Sequence, residues 1–572
     1  MKKWASTNIN GLFHHGRSRI LLAALLVALA MAYAPVARAA GVVSSCDEAS
    51  LLSAISGGGT VTFACSGTIT LTATITIFAD TTIDGTGQNV TISGGNAVQV
   101  FSVPSGVQLN LNKLTITQGL LAYGIGDGGG IFNQGTLTVT NSTFYGNVSY
   151  FGGGGGIANF GTLTVINSTF EGNSAFIGGG IANFGTLTVT NSKFEANGAY
   201  DGGGIYNYLA TLTVTNSTFS HNGGVYTGGG IYNYLATLTV TNSTFIGNHG
   251  NYSGGGGIYS LGTLTVSNST FSGNISFSNG GGIYNEGGPS VTVTNSTFSD
   301  NGSYSGRGGG IFNPGRLTLR NTIVANSIFG GNCSFGSSLV DDGGNLDTDG
   351  TCVGTISPDP LLGPLQNNGG PTQTLAIPMA SPAFGGANVA NCPATDQRGV
   401  LRPQFLSCDI GAYEFGTANS LLAAVRNEIS TLIPTGNQLD QRILSAAASA
   451  LTAALNSHNW QGTDGNHLNP LRAEVVFELV GEGVSARLIH LLNASPPSAI
   501  PAQTLQTLLN NLTLAGRTLA AVAIIDAAGA NATKLAQANA LLAKGDVDAA
   551  AGKYVSALVD YEFAWALVQR DE

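Results

Sequence analysis

From about residue 126 the chain repeats the unit Gly-Gly-Gly-Ile-x-Asn-x-Gly-Thr-Leu-Thr-Val-Thr-Asn-Ser-Thr-Phe-x-Gly-Asn. Its second Asn recurs as Asn141, Asn167, Asn191, Asn216, Asn242, Asn268, Asn295 and Asn321, at intervals of 24 to 27 residues. A period of this length means that no unit buries its own apolar side, so each must stack on its neighbours. That requirement excludes most globular folds and leaves the solenoids.

Inside the unit the apolar period is two. In Thr136-Leu137-Thr138-Val139-Thr140 the Leu and Val share one face and the three Thr the other, as in a strand with one buried side. Ile131 and Phe144 supply two further inward positions, set off by Asn or Gly corners where a left-handed backbone is least costly. Three short strands per turn of about 25 residues describe a right-handed parallel β-helix. Gly59 to Gly119 continues the pattern less regularly, and Cys46 to Ile55 has helical spacing, as expected of a short helix that caps one end of the solenoid over 46–56.

These repeats resemble those of bacterial right-handed parallel β-helix proteins of the pectate-lyase-like and polymorphic-outer-membrane-protein type. Downstream, Asn368-Gly369-Gly370-Pro371-Thr372-Gln373-Thr374-Leu375, Asp396-Gln397-Arg398-Gly399, Arg402-Pro403 and Cys408-Asp409-Ile410-Gly411-Ala412-Tyr413-Glu414 resemble the closing module of the choice-of-anchor Q family. The resemblance implies a mainly β fold over 45–415 and a secreted or cell-surface protein. It implies no particular reaction.

The sequence divides accordingly. Residues 1–39 read as a signal peptide: Lys2, Lys3, Arg17 and Arg19 precede an apolar run from Ile20 to Ala34, and Ala37-Arg38-Ala39 offers a cleavage motif. Its removal takes five basic and no acidic residues, moving the net charge from −10 to −15. Residues 40–332 form the β-helix and 333–416 an irregular disulfide-containing closing module. Residues 417–572, rich in Ala and Leu, form an all-α domain with helices over 438–456, 471–493, 502–528, 532–544 and 546–569. The six cysteines fall into local couples without metal-ligand spacing. Of fifteen possible pairings, Cys46–Cys65, Cys333–Cys352 and Cys392–Cys408 are the economical ones in an oxidising compartment. Such a protein is expected to be secreted or held at the cell surface, with no membrane-spanning segment in the mature chain.

Charge decides which partners are expected. Only Lys113, Lys193, Arg307, Arg316, Arg320, Arg398 and Arg402 are basic between 40 and 416, which excludes a nucleic-acid surface. The same scarcity disfavours lyase chemistry, which needs a basic residue beside calcium-binding carboxylates. The one acidic pair in equivalent positions of adjacent coils is Glu171 and Glu195. The expected separation is about 5 Å, the strand spacing, and retaining glycosidases use a similar one. Solvated, mutually repelling acids are the ordinary alternative.

Two outward surfaces remain. The position after the repeat's Ile holds Tyr206, Tyr232, Tyr259 and Tyr284, and two residues on come Tyr208 and Tyr234; if Ile points in, these point out. Tyrosine faces suit sugars, and an aromatic ladder that only stabilises stacking is the competing reading. Columns from Thr136 to Thr263 and from Thr138 to Thr265 form a regular hydroxyl array. It resembles those of ice-binding solenoids and equally suits a solvated strand face. Asn345-Leu346-Asp347-Thr348-Asp349-Gly350 has alternating oxygens like a calcium loop, with Asn345, Asp347 and Asp349 as ligands. Ile356 stands where the bidentate Glu belongs, and a turn held by Asx hydrogen bonds is the other reading.

The sequence therefore points to a non-catalytic adhesion protein that binds extracellular or cell-surface glycans through its aromatic and Thr columns. No cofactor is expected, calcium being the one candidate, and the helical domain could meet surface proteins. A polysaccharide lyase or glycoside hydrolase of pectate-lyase-like fold is the alternative, and a structural stalk the third reading.

Overall fold

The structure is a computed structural model. It describes residues 41–569 apart from 122–127, 287–289, 337, 379, 405–406, 462–464, 496 and 528–531. The segment read as a signal peptide lies outside the described residues. What is described is a right-handed parallel β-solenoid of about 11 turns followed by seven helices.

Each regular turn contributes four strands, one more than the sequence pattern predicts. Starting from Ile131–Asn133, the second is Thr136–Thr140, the third Thr143–Tyr145 and the fourth Val148–Gly153. Stacked, they give sheets 1 to 4, with 11, 13, 12 and 8 strands among the described residues. Sheet 4 arises because the glycine-rich stretch before the next Gly-Gly-Gly is long enough to pair with its counterpart instead of turning at once. Its register, Val148 on Ser174 and Ser149 on Ala175, shifts further along the strand.

Register in the other sheets places like on like: Leu137 on Leu163, Leu163 on Leu187, Phe144 on Phe170. The inward columns Ile131, Leu137, Val139 and Phe144, with their equivalents, are fully buried. The Phe rings from Phe144 to Phe298 stack with centroids 4.6–4.8 Å apart and nearly parallel planes. Burial of each such side chain stabilises by roughly 1.5–3 kcal/mol.

Corners are satisfied by ladders of side chains. Asn133, Asn159, Asn183 and Asn207 each donate Nδ2 to the next Oδ1, ending at Asn233, at 2.7–2.8 Å. A second ladder runs from Asn147 to Asn301 at 2.8–3.0 Å. The repeat's Asn141 and its equivalents stand at φ of 46 to 51°, a left-handed conformation that Asn tolerates better than other side chains. At Gly178 (φ +63°) an added Cβ would lie 2.3 Å from the Ile181 carbonyl oxygen, so only glycine fits.

At the N-terminal end, α1 (Glu48–Ile55) is capped by Asp47, which accepts from the Ser50 N–H at 2.8 Å. Leu51 is fully buried in the solenoid core, and the Cys46–Cys65 disulfide ties this segment to the second strand-bearing stretch. At the other end the solenoid continues past residue 332. Cys333–Phe335, Ser338–Asp341 and Leu346–Asp347 join sheets 1, 2 and 3, and Cys333–Cys352 closes the last coil with both cysteines in the core. That coil lacks the Thr-Leu-Thr-Val pattern but keeps the inward Leu339, while Leu346, in register with Ile323, turns outward to pack against the closing segment. The remaining segment, with Cys392–Cys408, lies against the solenoid flank.

The C-terminal helices are α2 (Ala418–Leu432), α3 (Gln438–Ala454), α4 (Ala473–Val480), α5 (Ala486–Leu492), α6 (Ala502–Asp526), α7 (Ala532–Ala550) and α8 (Tyr554–Gln569). A π-helical turn, Gly481–Ser485, joins α4 to α5. The break expected near residue 545 falls instead at 551–553. Gly545 sits inside α7, where its missing side chain admits the Tyr561 ring. Helix α6 is long and apolar enough to cross a membrane, but Leu505, Leu508, Leu512, Ala515 and Leu519 are buried in the helical core. Val400 belongs to that same core, and Asn511 Nδ2 donates to the Gly399 carbonyl at 2.8 Å, joining the helices to the closing module.

Candidate functional site

Period two does send the tyrosines after each Ile outward from the solenoid core, yet not into solvent. Tyr206, Tyr232, Tyr259 and Tyr284 are only 3–8 % exposed and form a cluster of their own with Ile177, Phe184, Leu261 and Phe312. The expectation of an open tyrosine face fails at these four positions because sheet 4 doubles back beside sheet 1. Ile177, on sheet 4, packs into the cluster. The Asp201 carboxylate accepts from Thr227 Oγ1 at 2.5 Å and is pushed up by burial. Burial, aided by Asp201, likewise raises the Tyr206 and Tyr232 phenols. Tyr208 and Tyr234 are half-buried, their rings stacked at 5.1 Å, and the Tyr259 hydroxyl donates to Glu286.

The exposed aromatics lie on sheet 4 and along its edge, the first four within its strands and the others just beyond them. Tyr150, Phe176, Tyr200, Tyr226, Tyr252, Phe277, Tyr304 and Phe329 recur once per coil and are 44–67 % exposed. Ring centroids lie 4.9 Å apart for Phe176 and Tyr200, 5.5 Å for Tyr200 and Tyr226, 5.5 Å for Tyr226 and Tyr252, and 5.0 Å for Tyr304 and Phe329. From Phe176 to Tyr252, and again from Tyr304 to Phe329, each ring leans on the next, and the phenols of Tyr200, Tyr226, Tyr252 and Tyr304 belong to these runs. An exposed apolar row of this length is uncommon on a soluble surface. The signal was present in the sequence: every member but Phe329 follows the last Asn of the repeat, Asn147 to Asn301 in successive coils, by three or four residues. The variable spacing hides it from a search at fixed offsets.

Glu171 and Glu195 are partners in sheet 3, as their equivalence predicts. Glu195 is engaged by Lys193 at 2.5 Å. Asn345, Asp347 and Asp349 turn their oxygens to the chain itself. Asp347 accepts from Asn332 Nδ2 (2.8 Å) and from the Cys352 N–H (2.6 Å), and Asn345 Oδ1 from the Thr322 N–H (3.0 Å). Burial raises the Asp347 carboxyl; at Asp349 burial opposes, and hydrogen bonds from Thr351 and Asn332 outweigh it and lower the pKa. The loop is thus a turn inside the Cys333–Cys352 disulfide, and no group of three or more metal-ligating side chains gathers among the described residues. Thr136 and its equivalents in sheet 2 are exposed, and the Thr138 column half-buried. All three disulfides pair as the local reading expects.

Residues 180–353 match the family model described as right handed beta helix region. The chain carries a right-handed β-helix. The matched stretch lies wholly within the solenoid and includes most of the aromatic row. No curated protein and no solved structure matches the chain. The three disulfides suit an extracellular β-helix.

Proposed function

We propose that this β-helix is a secreted or cell-surface adhesion protein that binds glycans, and that the exposed aromatic row along sheet 4 and its edge is its contact surface. The row is the observation that carries the reading. Aromatic rings offer apolar C–H surface to the corresponding surface of a sugar, and phenol tips exchange hydrogen bonds with its hydroxyls. The near absence of charge on this face favours a neutral ligand over an ionic one. The likeness of the closing segment to the choice-of-anchor Q family supports a place at the cell surface, with the helical domain available for attachment or for protein partners.

A glycosidase reading has one specific observation in its favour, the side-by-side Glu171 and Glu195. Against it, Glu195 is already engaged by Lys193 in a half-exposed ion pair.

Glycan-array binding of the full chain, compared with a Tyr200→Ala/Tyr226→Ala/Tyr252→Ala variant, tests the proposal. Glycans retained by the wild type and lost by the variant support it. Equal retention by both, or sugar release that disappears in Glu171→Gln, overturns it.

A further inference from the structure

The outer side of sheet 3 and its preceding corner form one polar strip down the solenoid, and the chain covers the C-terminal half of that strip with its own closing segment. The gradient is visible at constant residue type. Asn141, Asn167 and Asn191 are exposed, Asn216 and Asn242 half-buried, and Asn268, Asn295 and Asn321 buried; Thr143, Thr169 and Thr218 are half-buried, and Thr244, Thr270 and Thr297 buried.

The covering segment is held largely by its main chain. Thr244 Oγ1 donates to the Gln373 carbonyl at 2.7 Å, Asn268 Nδ2 to the Thr395 carbonyl at 2.9 Å and Asn321 Nδ2 to the Asn388 carbonyl at 3.1 Å. Such contacts recognise extended backbone with little regard to side chain. Side-chain anchors are fewer: Gln397 accepts from Thr270 Oγ1 at 2.6 Å and donates to Thr244 Oγ1 at 2.7 Å, Thr372 Oγ1 donates to the Asn242 carbonyl at 3.1 Å, and Ile377 and Ile410 pack with Ile323 at the C-terminal end.

The uncovered half presents the same donors in the same register, except that Lys193, ion-paired with Glu195, stands between Thr169 and Thr218. A side-chain amide has two N–H groups, and Asn167 spends one of them on Asn141 Oδ1 at 3.3 Å. Above it the strip runs into an open cleft of about 550 Å³ lined by Thr91, Lys113, Thr115, Asn141 and Thr143. We infer that the strip from Asn141 to Thr218 is a docking site for a second extended, uncharged polypeptide segment, bound through its main-chain carbonyls as the closing segment is bound below. The site lies on a different sheet from the aromatic row and does not depend on glycan binding.

The probe is a fluorescein-labelled peptide with the sequence of residues 366–377, titrated against the full chain and followed by fluorescence anisotropy. Asn167 and Asn191 have φ of 50°, so Asn167→Gly/Asn191→Gly removes the donors while keeping a backbone that glycine adopts freely. The expected result is saturable binding, weakened at least tenfold by that double variant and by Thr169→Val, and unchanged by Tyr226→Ala. Should the double variant lose its fold, Thr169→Val decides. Absence of saturable binding, binding unaffected by these changes, or binding lost only in Asn268→Gly would overturn the inference, the last because the peptide would then be displacing the closing segment. Displacement of the peptide by a neutral oligosaccharide would also overturn it, assigning the strip to sugar.

Discussion

Asn197 donates its side-chain amide to Asn222 Oδ1 at 2.9 Å, and both side chains are sealed from solvent. The same Nδ2 donates to the Phe170 carbonyl at 2.9 Å, while Asn197 Oδ1 accepts from the N–H and Nδ2 of Asn173, both at 3.0 Å. One side chain thus satisfies groups on the coils to either side of its own. Asn197→Ala should leave several of them buried and unpaired, at about 1–3 kcal/mol each. Urea denaturation should show a loss of several kcal/mol, and hydrogen exchange should quicken in the coils around residues 170–222 before it does elsewhere. Asn197→Asp keeps acceptors but removes both donors, and should be no better.

The two sets of tyrosines should separate on stability. Tyr232→Ala empties a site that is 8 % exposed and contacts Tyr206 and Tyr259. It should cost about 3–5 kcal/mol, as for other large buried aromatics. Tyr226→Ala, on the exposed row, should stay within about 0.5 kcal/mol of wild type. Thermal melts of the two single variants check this, and equal losses would mean that the row is packed and not free.

Much of this was legible in the chain. The Leu137, Val139 and Phe144 columns follow from period two plus a fixed repeat, since a stacked unit can bury only the face its strand alternation defines. The disulfides followed from proximity in sequence. What alternation could not tell was whether an outward residue stays outward: Tyr206 and Tyr226 both leave the core, and only the second meets solvent. Sheet 4, with its glycine-rich strands and shifting register, has no alternating signature, so neither its existence nor its cover over Tyr206 was written in a local pattern. Gln397 was visible as part of a motif, but its partners Thr244 and Thr270 lie 153 and 127 residues away.

Acid should tighten the closing segment. Burial pushes the Glu414 carboxyl up to about 7, with Arg402 opposing, and the Asp409 carboxyl up to about 6. Both exceed the ordinary values of 4.5 and 3.8, so the unfolded segment loses these protons at lower pH than the folded one. The associated stabilisation is complete below about pH 4 and is lost as pH rises through 6 and 7. The charged groups facing this pair are Arg402, whose Nη1 lies 3.4 Å from Glu414 Oε2, and Asp396, itself paired with Arg398 at 2.8 Å. Hydrogen exchange over residues 396–415, corrected for intrinsic rates, should therefore show greater protection at pH 5 than at pH 8. Glu414→Gln should flatten the upper part of that dependence.

Gly545 gives a substitution whose sign depends on packing. Inside a helix, Gly→Ala ordinarily stabilises by up to about 1 kcal/mol. An added Cβ at Gly545, however, would lie 2.4 Å from Tyr561 Cε1. That ring cannot yield easily: it is 1 % exposed, and its hydroxyl donates to Asp546 Oδ1 at 2.8 Å. Asp546 is in turn gripped by Arg517 through contacts of 2.7 and 3.0 Å. Gly545→Ala should force α7 away from α8 and cost about 1–3 kcal/mol, the usual range for overpacking. Gly545→Ala combined with Tyr561→Leu should recover part of the loss, because the clash and the anchored ring are removed together. Chemical denaturation of the two variants and of Tyr561→Leu alone completes the cycle, and a coupling energy near zero would show that the helices accommodate the methyl group without moving the ring.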